Sequence, residues 1–517
     1  MESTINTEPK QNLGAPWNPY EEKELESFIT DLSKKLSKHL LNRPTSHNTP
    51  VIEFRQPEDI RKLIPMEIGE PTSLKDLRTS LDTIMELSVK TDHPHFFNQL
   101  FAQADPVATV GEWVTAVMNA SMYTYEVAPV LTCMEKDVLK LMESYLGFLE
   151  AGKPSGNGIF CPGGSISNLL ALNVARYWKF PEVKEDGMHS VPKMAFFASE
   201  LAHYSIKKGC QILGIGSKGL FEVKADARGV MDPAELRITI ADAIEQGYVP
   251  TCITSTAGTT VFGAYDDITV ISEIAKEFDM WLHIDGAWGG SVILTTEFSR
   301  LMKGTHLADS ITWNPHKLMG IPQQCSALIL HSRHAGLLKA AHSTAATYLF
   351  QADKENGDLD TGDTTIQCGR RNDILKLWMM WKAIGQKGMT ERLDHVWGIS
   401  RYLVTAIKDR SDRFVMVNDP MCTNVCFYYC PPCLKEQGFD ITQDYSEWST
   451  EHKEKMGMVC PAIKKMMQER GSMLCTFQTQ KEYVNFWRMV LISSCLSSKD
   501  MDFVLDEIEE CGKTLTL

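Results

Sequence analysis

The sequence lacks the long apolar runs of a membrane protein. Nothing in its 517 residues approaches the roughly 20 consecutive apolar residues of a membrane-spanning helix, and its polar opening is unlike a secretory signal. Positive charge is also scarce, because 52 Lys and Arg against 66 Asp and Glu leave a net charge of −14. Such a chain has no global positive field for nucleic acid or an anionic membrane. We therefore expect a cytoplasmic protein that binds neither.

Cysteine is too sparse to build a disulfide scaffold, since 14 cysteines are scattered through a large chain. Cys422, Cys426, Cys430 and Cys433 lie close enough together to raise the question of a metal site. The first three are spaced by even numbers, which places them on one face of a strand, and no second Cys or His pair follows. We therefore expect reduced thiols and no metal.

The order of the apolar segments predicts an α/β fold. In the middle of the chain, apolar runs such as MAFFAS and WLHID alternate with amphipathic stretches, one of which opens with the helix-start pair Asp232 and Pro233. We expect a helical N-terminal segment over residues 1–95, a large domain with a mostly parallel central sheet over 96–375, and a small C-terminal α/β domain over 376–517. Ligands of such a sheet bind at the carboxyl ends of its strands.

Two reactive side chains follow predicted strands. Lys317 ends the segment WNPHK, where small and apolar neighbours would desolvate its amine and favour a Schiff base with an aldehyde. Asp285 ends WLHID, where a carboxylate can keep a pyridinium nitrogen protonated. Taken singly, each has an ordinary alternative, which is a surface lysine or a turn aspartate.

A glycine-rich turn and a histidine complete the set. Gly164 and Ser165 open a helical pattern, which is the geometry of a phosphate site or of a plain turn with a serine cap. His203 follows another strand end, where it can stack on a planar ring or sit in the core. Together the lysine, the carboxylate, the phosphate cradle and the imidazole specify a pyridoxal 5′-phosphate (PLP) site better than any one of them.

Several segments resemble the group II PLP-dependent amino-acid decarboxylases. They are HPHFFNQL, YTYEVAP, FCPGGSISN, HYSIKKG, TAGTTVFGAYD, HIDGAWGGS, WNPHKLMG, DTGD and QCGRR. The resemblance runs from about residue 50 to about 512 and is to the acidic-substrate branch, which holds glutamate, cysteine sulfinate and aspartate 1-decarboxylases. It implies the PLP-dependent transferase fold type I, like that of aspartate aminotransferase, and a homodimer with shared active sites.

The resemblance also implies roles for individual residues. Lys317 would bind PLP covalently, Asp285 would pair with its ring nitrogen, and His203 would stack on the ring. The other implied cofactor contacts are Gly164, Ser165, Thr256, Ala287, Asn314 and His316. The implied substrate contacts are Gln99, Phe101, Ser121, Tyr123, Gln323 and Arg488. An acidic chain with an anionic substrate needs such a fixed guanidinium to grip a carboxylate.

Four positions indicate the substrate. Glutamate decarboxylases resemble one another in having Ser, Asn and Phe where this chain has Phe101, Ser121 and Tyr123. A bulky Phe101 shortens the pocket and favours a four-carbon acid, although one methylene discriminates by only about 1–3 kcal/mol. At the fourth position, Gln323, the chain resembles the insect aspartate 1-decarboxylases. We expect decarboxylation of aspartate to β-alanine, with cysteine sulfinate to hypotaurine close behind and glutamate to GABA disfavoured.

One segment departs from the family pattern. The family's mobile loop carries Asp-Lys-x-Tyr before DTGD, and its tyrosine is held to reprotonate the substrate carbon, whereas residues 353–359 here read DKENGDL. Without that acid, protonation by another donor, abortive transamination and decarboxylation-dependent oxidation to an aldehyde all stay open. A weakly active paralogue kept as a binding partner is a further alternative.

Overall fold

The fold is taken from a computed structural model of the chain. It describes residues 20–42, 46–344, 346, 355–480 and 483–517. Internal contacts divide the described chain into two compact units. One unit holds the described residues before 43 together with residues 53–89. The other holds residues 46–52 together with the described residues from 90 onward. The division of the chain at residues 95 and 375 stays a prediction.

The smaller unit is helical. Its helices are α1 (Glu22–Asn42), α2 (Pro57–Leu63) and α3 (Leu74–Leu87). An ion pair of 2.8 Å joins Arg78 on α3 to Asp31 on α1. The pair is exposed and contributes little to stability, so the packing of two amphipathic faces holds these helices together.

A seven-stranded sheet organises the larger unit. Its strands in the described chain are β1 (Gly158–Cys161), β2 (Met194–Ser199), β3 (Leu220–Val223), β4 (Val249–Thr256), β5 (Trp281–Gly286), β6 (Ser310–Trp313) and β7 (Ser326–Leu330). They lie in the order β1-β7-β6-β5-β4-β2-β3. Most are buried along their whole length, which explains their uninterrupted apolar runs.

The sheet is mostly parallel, as the alternation of strands and helices predicts. Strands β3, β2, β4, β5 and β6 run parallel, and their register places Thr256, Asp285 and Thr312 side by side at one edge. Strand β7 pairs antiparallel with both of its neighbours. Residues 314–325, which connect β6 to β7, hold turns and no helix. A connection without a crossover helix favours an antiparallel neighbour, and the sequence pattern did not reveal this.

Helices cover both faces of this sheet. They are α4 (Pro106–Met118), α5 (Pro129–Leu146), α6 (Gly164–Lys179), α7 (Val183–Asp186), α8 (Ser205–Ile212), α9 (Pro233–Glu245), α10 (Ile268–Glu277), α11 (Leu337–His342) and α12 (Ile374–Asp409). Asp232 caps α9 by accepting the backbone N–H of Ala234 at 2.8 Å. The predicted start of α9 is therefore confirmed. No helix in the described chain is long and apolar enough to cross a membrane.

A second, antiparallel sheet forms the C-terminal part. Its strands are β8 (Phe414–Met416), β9 (Asn424–Tyr429), β10 (Thr476–Gln480) and β11 (Tyr483–Val490), in the order β10-β11-β9-β8. Its helices are α13 (Pro432–Glu436), α14 (Thr450–Arg470) and α15 (Ser498–Gly512). A separate apolar cluster lies between this sheet and its helices.

A buried ion pair ties the helices to the large sheet. Nη1 and Nη2 of Arg370 donate to the two carboxylate oxygens of Glu135 on α5, each at 2.7 Å, and the two side chains are almost fully buried. Glu135 also accepts the backbone N–H of Phe160 on β1, and Arg370 donates to the carbonyl of Met122 and to Thr361 Oγ1. The DTGD and QCGRR segments therefore meet in one buried polar network.

Glu135→Gln should destabilise the protein by about 3–5 kcal/mol, because it leaves the Arg370 charge buried without its counter-ion. Chemical denaturation followed by fluorescence measures the change. Glu222→Gln is the matched control, since Glu222 forms an exposed pair with Lys207, and its loss should cost under about 1 kcal/mol. Equal effects of the two substitutions would contradict this account.

Candidate active site

A cavity of about 360 Å³ opens where strands β4, β5 and β6 end and α6 begins. All the predicted cofactor contacts line it, together with two of the predicted substrate contacts. Its walls are formed by Phe101, Gly164, Ser165, Asn168, His203, Tyr204, Thr256, Gly258, Thr260, Asp285, Ala287, Trp288, Asn314, His316, Lys317 and Gln323. The site lies at the strand ends, as expected for a mostly parallel sheet.

A buried amine and a buried carboxylate face this cavity. Burial lowers the pKa of Lys317, and the negative charge of Asp285 only partly opposes that effect. Within the described chain, Lys317 Nζ forms no hydrogen bond or ion pair. Asp285, which is 4% exposed, accepts the backbone N–H of Ala287 at 3.1 Å. The arrangement supplies a reactive amine together with a fixed negative charge.

A chain of hydrogen bonds fixes the orientation of the Asp285 carboxylate. Asn168 on α6 donates through Nδ2 to Asp285 Oδ2 at 2.9 Å and to Ser205 Oγ at 3.0 Å. Because a carboxylate only accepts, the amide is turned so that its Oδ1 faces His283 Nε2 at 3.1 Å. His283 therefore carries its proton on Nε2, and burial lowers its pKa to about 4, which keeps the ring neutral.

The same chain reaches His203. Its Nδ1 lies 2.8 Å from Ser205 Oγ and accepts the backbone N–H of Ser205 at 3.2 Å. The proton of the neutral ring is therefore on Nε2, and burial lowers the pKa of His203. Asn168 thus orients both a carboxylate and an imidazole of the cavity. Sequence reasoning missed Asn168, whose signal is a polar residue on a buried helix face, within the FCPGGSISN segment.

The start of α6 presents unpaired donors to the cavity. Gly163 has φ = 98°, and a Cβ on Gly164 would lie 2.8 Å from Asn314 Nδ2, so this turn requires glycine. The backbone N–H groups of Gly164 and Ser165 donate to no acceptor in the described part of the chain. Free amides at a helix N-terminus bind phosphate. The Thr256 hydroxyl is likewise buried among the described residues without a partner.

Arg488 lies beside the cavity, on β11. Its guanidinium is 5% exposed, and Nη1 donates to the carbonyl of Thr260, a lining residue, at 2.9 Å. Its Nε has no partner in the described chain, where no carboxylate pairs with the side chain. Burial lowers the pKa of Arg488. A buried cation without an anion is costly, so an incoming carboxylate would be stabilised here.

Besides Arg488, three predicted substrate contacts do not line the cavity of their own chain. Gln99 is exposed, Ser121 Oγ accepts the backbone N–H of Arg370 at 3.1 Å, and Tyr123 accepts the backbone N–H of Gly362 through its carbonyl at 2.9 Å. The structure therefore separates these three from Phe101 and Gln323. Of the segment that lacks the family tyrosine, residues 353 and 354 lie outside the described residues, and Glu355 to Leu359 form a turn and a short 3-10 helix.

Comparison with known proteins decides the family. A pyridoxal-dependent decarboxylase conserved domain matches residues 57–430. The chain belongs to this family. It is 43% identical to human cysteine sulfinic acid decarboxylase over 477 residues, which are 92% of this chain and 94% of that protein. It is also 42% identical to the acidic amino acid decarboxylase GADL1 of Xenopus tropicalis, over 95% of this chain and 93% of that protein.

The solved structures agree with this assignment. The crystal structure of mouse CSAD superposes with a TM-score of 0.90 at 39% identity and covers 96% of this chain and 100% of that one. The predicted fold type, the acidic-substrate branch and the PLP dependence are confirmed. The protein is thus a PLP-dependent amino-acid decarboxylase, and the residues of its cavity fit that cofactor. Unpaired backbone amides, a buried amine and the Asp285 carboxylate all belong to residues that line the cavity.

Asn168→Leu should lower kcat by about 10- to 100-fold with little change in KM, because Asp285 loses a charge-assisted hydrogen bond worth about 1.5–3 kcal/mol. PLP affinity, measured by fluorescence titration of the apoenzyme, should weaken as well. Asn173→Leu is the control, since Asn173 lies on the same helix and binds Arg176 away from the cavity. Wild-type kcat and PLP affinity in Asn168→Leu would refute a positioning role.

Proposed function

We propose that the protein removes the α-carboxylate of short acidic amino acids, aspartate and cysteine sulfinate, with Lys317 as the residue that binds PLP. The observation that carries the proposal is the buried, unpaired amine of Lys317 in one cavity with Asp285. When bound, PLP supplies an aldehyde for amines and an electron-withdrawing ring that accepts the electron pair left when carbon dioxide departs.

The residues of the cavity have separable tasks in this proposal. Burial lowers the pKa of Lys317, which favours the neutral amine that covalent attachment requires. Asp285, held by Asn168, would keep a proton on the ring nitrogen. The neutral ring of His203 would lie against the cofactor, and the free amides of Gly164 and Ser165 would bind its phosphate.

Arg488 is the proposed anchor for a substrate carboxylate. Its guanidinium is buried beside the cavity and has no carboxylate partner in the described chain. A second hydrogen bond, from Nη2 to the carbonyl of Asn98 at 3.4 Å, fixes the orientation of the guanidinium. Asn98 lies in the segment that carries Phe101. One fixed cation in a chain of net charge −14 selects an acidic substrate through a local interaction.

Two lining residues support a short substrate. Phe101 fills space that a longer acid would occupy, and Gln323 offers an amide that can donate to a planar carboxylate or sulfinate. The relatives named for cysteine sulfinic acid and for acidic amino acids support the same class. Glutamate, with its extra methylene, is the disfavoured alternative, and its product would be GABA.

The missing loop tyrosine favours a second candidate function. Residues 353–359 carry no hydroxyl that could reprotonate the substrate carbon. A carbanion that is protonated slowly can instead reduce dioxygen to hydrogen peroxide, and hydrolysis of the resulting imine by one water would release an aldehyde and ammonia in addition to the carbon dioxide. This outcome keeps the same cavity and the same first bond cleavage, so product analysis distinguishes it from simple decarboxylation. A weakly active paralogue kept as a binding partner would release none of these products.

We also propose a homodimer with shared active sites. Val107, Val110, Val114 and Val117 form one stripe of α4 and are each between 38% and 87% exposed, which is unusual for a row of apolar side chains at helical spacing. Ser121 and Tyr123 follow that helix and do not line their own cavity. A second copy packed on this stripe would bring them towards its site.

A cytoplasmic location completes the proposal. All 14 cysteines are free thiols, and most of them are buried. Free thiols are the rule in reducing compartments and rare in secreted proteins. The reaction would then draw on the cytoplasmic pool of amino acids.

One assay tests the proposed substrates and products. Aspartate, cysteine sulfinate and glutamate are each supplied to the PLP-loaded enzyme, and amine, aldehyde and peroxide are quantified. We expect amine from the first two, with kcat/KM at least about tenfold above that for glutamate, because one extra methylene must be accommodated against Phe101. A glutamate preference would refute the substrate proposal, and equimolar aldehyde and peroxide would establish the oxidase alternative.

Lys317→Ala is the control for that assay. It should abolish turnover, and borohydride reduction followed by mass spectrometry should no longer attach the cofactor covalently to the protein. Lys339→Ala, on α11 and outside the cavity wall, should behave as the wild type. Retained covalent attachment in Lys317→Ala would overturn the assignment of the lysine.

Val110→Glu combined with Val114→Glu should convert the dimer to a monomer, because two charges would be buried in an apolar contact. Light scattering after size exclusion measures the mass, and kcat/KM should fall with it. Ile238→Glu is the matched control, because Ile238 is 55% exposed on α9, away from the stripe. A wild-type monomer, or a double variant that stays dimeric, would contradict the proposal.

A further inference from the structure

Two histidines and an aspartate meet outside the cavity described above. One ligand atom each from His47, His95 and Asp500 lies within 4.8 Å of the other two, and the Nε2 atoms of His47 and His95 lie 2.7 and 3.8 Å from Asp500 Oδ1. The first two come from segments near the N-terminus, and Asp500 lies in the first turn of α15, 453 residues from His47. His95 and Asp500 are buried, while His47 is exposed. None of the three lines the PLP cavity.

His95 points a lone pair at a carboxylate. Its Nδ1 lies 3.2 Å from the carbonyl of Ser472, which only accepts, so the ring proton is on Nδ1. Nε2 therefore faces Asp500 Oδ1 without a proton, at 3.8 Å, beyond hydrogen-bond reach. The ring stacks on Phe503, with centroids 3.8 Å apart, and burial lowers the pKa of His95. Two electron-rich atoms thus face each other across a gap that a cation would fill.

Asp500 is held so that one oxygen is available. Its Oδ2 accepts the backbone N–H and the hydroxyl of Ser497, in a capping box. Oδ1 receives only His47 Nε2, at 2.7 Å, among the described residues. Burial by itself would raise the pKa of Asp500, but hydrogen bonds from Ser497 and His47 keep this pKa below its ordinary value. The group is a carboxylate at neutral pH.

A neighbouring histidine shows what a purely structural histidine looks like here. His93 Nδ1 accepts the backbone N–H of His95 at 3.0 Å, and its Nε2 lies 2.8 Å from the carbonyl of Thr49. Both of its ring nitrogens are used, so it offers no ligand atom. Instead it fixes the backbone of His95.

We propose that His47, His95 and Asp500 bind a divalent transition-metal ion, with Zn²⁺ as the best match. Two imidazole nitrogens and one carboxylate oxygen suit Zn²⁺, Co²⁺ or Ni²⁺, whereas Ca²⁺ and Mg²⁺ prefer oxygen ligands throughout. Tetrahedral ligands about 2.0–2.2 Å from zinc lie about 3.3–3.6 Å apart, so His95 Nε2 would approach Asp500 Oδ1 slightly and the half-exposed His47 ring would move away from it. On binding, His47 shifts its proton from Nε2 to Nδ1.

The ion would fasten the chain that leads to the PLP cavity. His95 lies shortly before Phe101, and the Phe97 backbone N–H, between them, donates to the carbonyl of Leu474 at 2.8 Å. A metal bridging this segment to α15 would stabilise it without touching substrate. The site is therefore structural, and its loss should affect stability more than kcat.

Cobalt titration of the chelator-treated, PLP-loaded enzyme tests the site. We expect one equivalent of Co²⁺ with the visible bands of nitrogen and oxygen ligands, no sulfur-to-cobalt charge transfer, competition by Zn²⁺, and a higher melting temperature. His47→Ala should weaken binding by more than about 100-fold, because it removes a direct ligand whereas outer-shell losses cost 10- to 100-fold. Removing the exposed His47 side chain leaves the buried His95 and Asp500 side chains in place, so folding is retained.

His189→Ala is the matched control, since His189 is exposed and outside the cluster. It should bind cobalt as the wild type does. Asp500→Asn should lose binding while retaining PLP absorbance. The proposal is overturned if the wild type binds no cobalt, if the bands are those of thiolate ligands, or if His47→Ala binds as tightly as the wild type.

Discussion

The desolvation of one amine is the constraint on which the functional site depends. Lys317 can react with an aldehyde only as a neutral amine, and burial at the strand ends favours that form by lowering the pKa of the lysine. The same burial would make an isolated carboxylate costly, yet Asp285 must stay charged a short way across the cavity. The structure meets both needs by giving Asp285 hydrogen bonds from Asn168 and from the backbone, while Lys317 receives none in the described chain.

The arrangement of the hydrogen bonds around Asp285 follows from this constraint. Asn168 donates to both Asp285 and Ser205, so its Oδ1 accepts from His283 Nε2, and the backbone N–H of Ser205 leaves the proton of His203 on Nε2. Such a network stabilises one arrangement of the side chains, because any rotated amide would place an oxygen against the carboxylate. Both rings are held neutral by burial, and neither competes with Lys317 for a proton.

A second network, around Arg370, serves architecture and not chemistry. It joins α5, β1 and the segments on either side of the DTGD motif through one bidentate pair with Glu135. Ser121 and Tyr123 depend on it for their position, because Arg370 donates to Ser121 Oγ and to the carbonyl of Met122. The DTGD and QCGRR motifs, which pointed to the family, therefore act by fixing the backbone of Ser121 and Tyr123. Both residues follow α4, whose valine stripe is exposed.

The sequence by itself determined the strand ends and the turns, because Asp285, Lys317 and Gly164 each depend on a short stretch of chain whose pattern is visible locally. It also determined the family and the cofactor, since all four features belong to one chemistry. Only the tertiary structure decided the antiparallel β7, the amide of Asn168 behind Asp285, the exclusion of Ser121 from its own cavity, and the meeting of His47 with Asp500. Those contacts join residues far apart in the chain, and packing, which no local pattern encodes, brings them together.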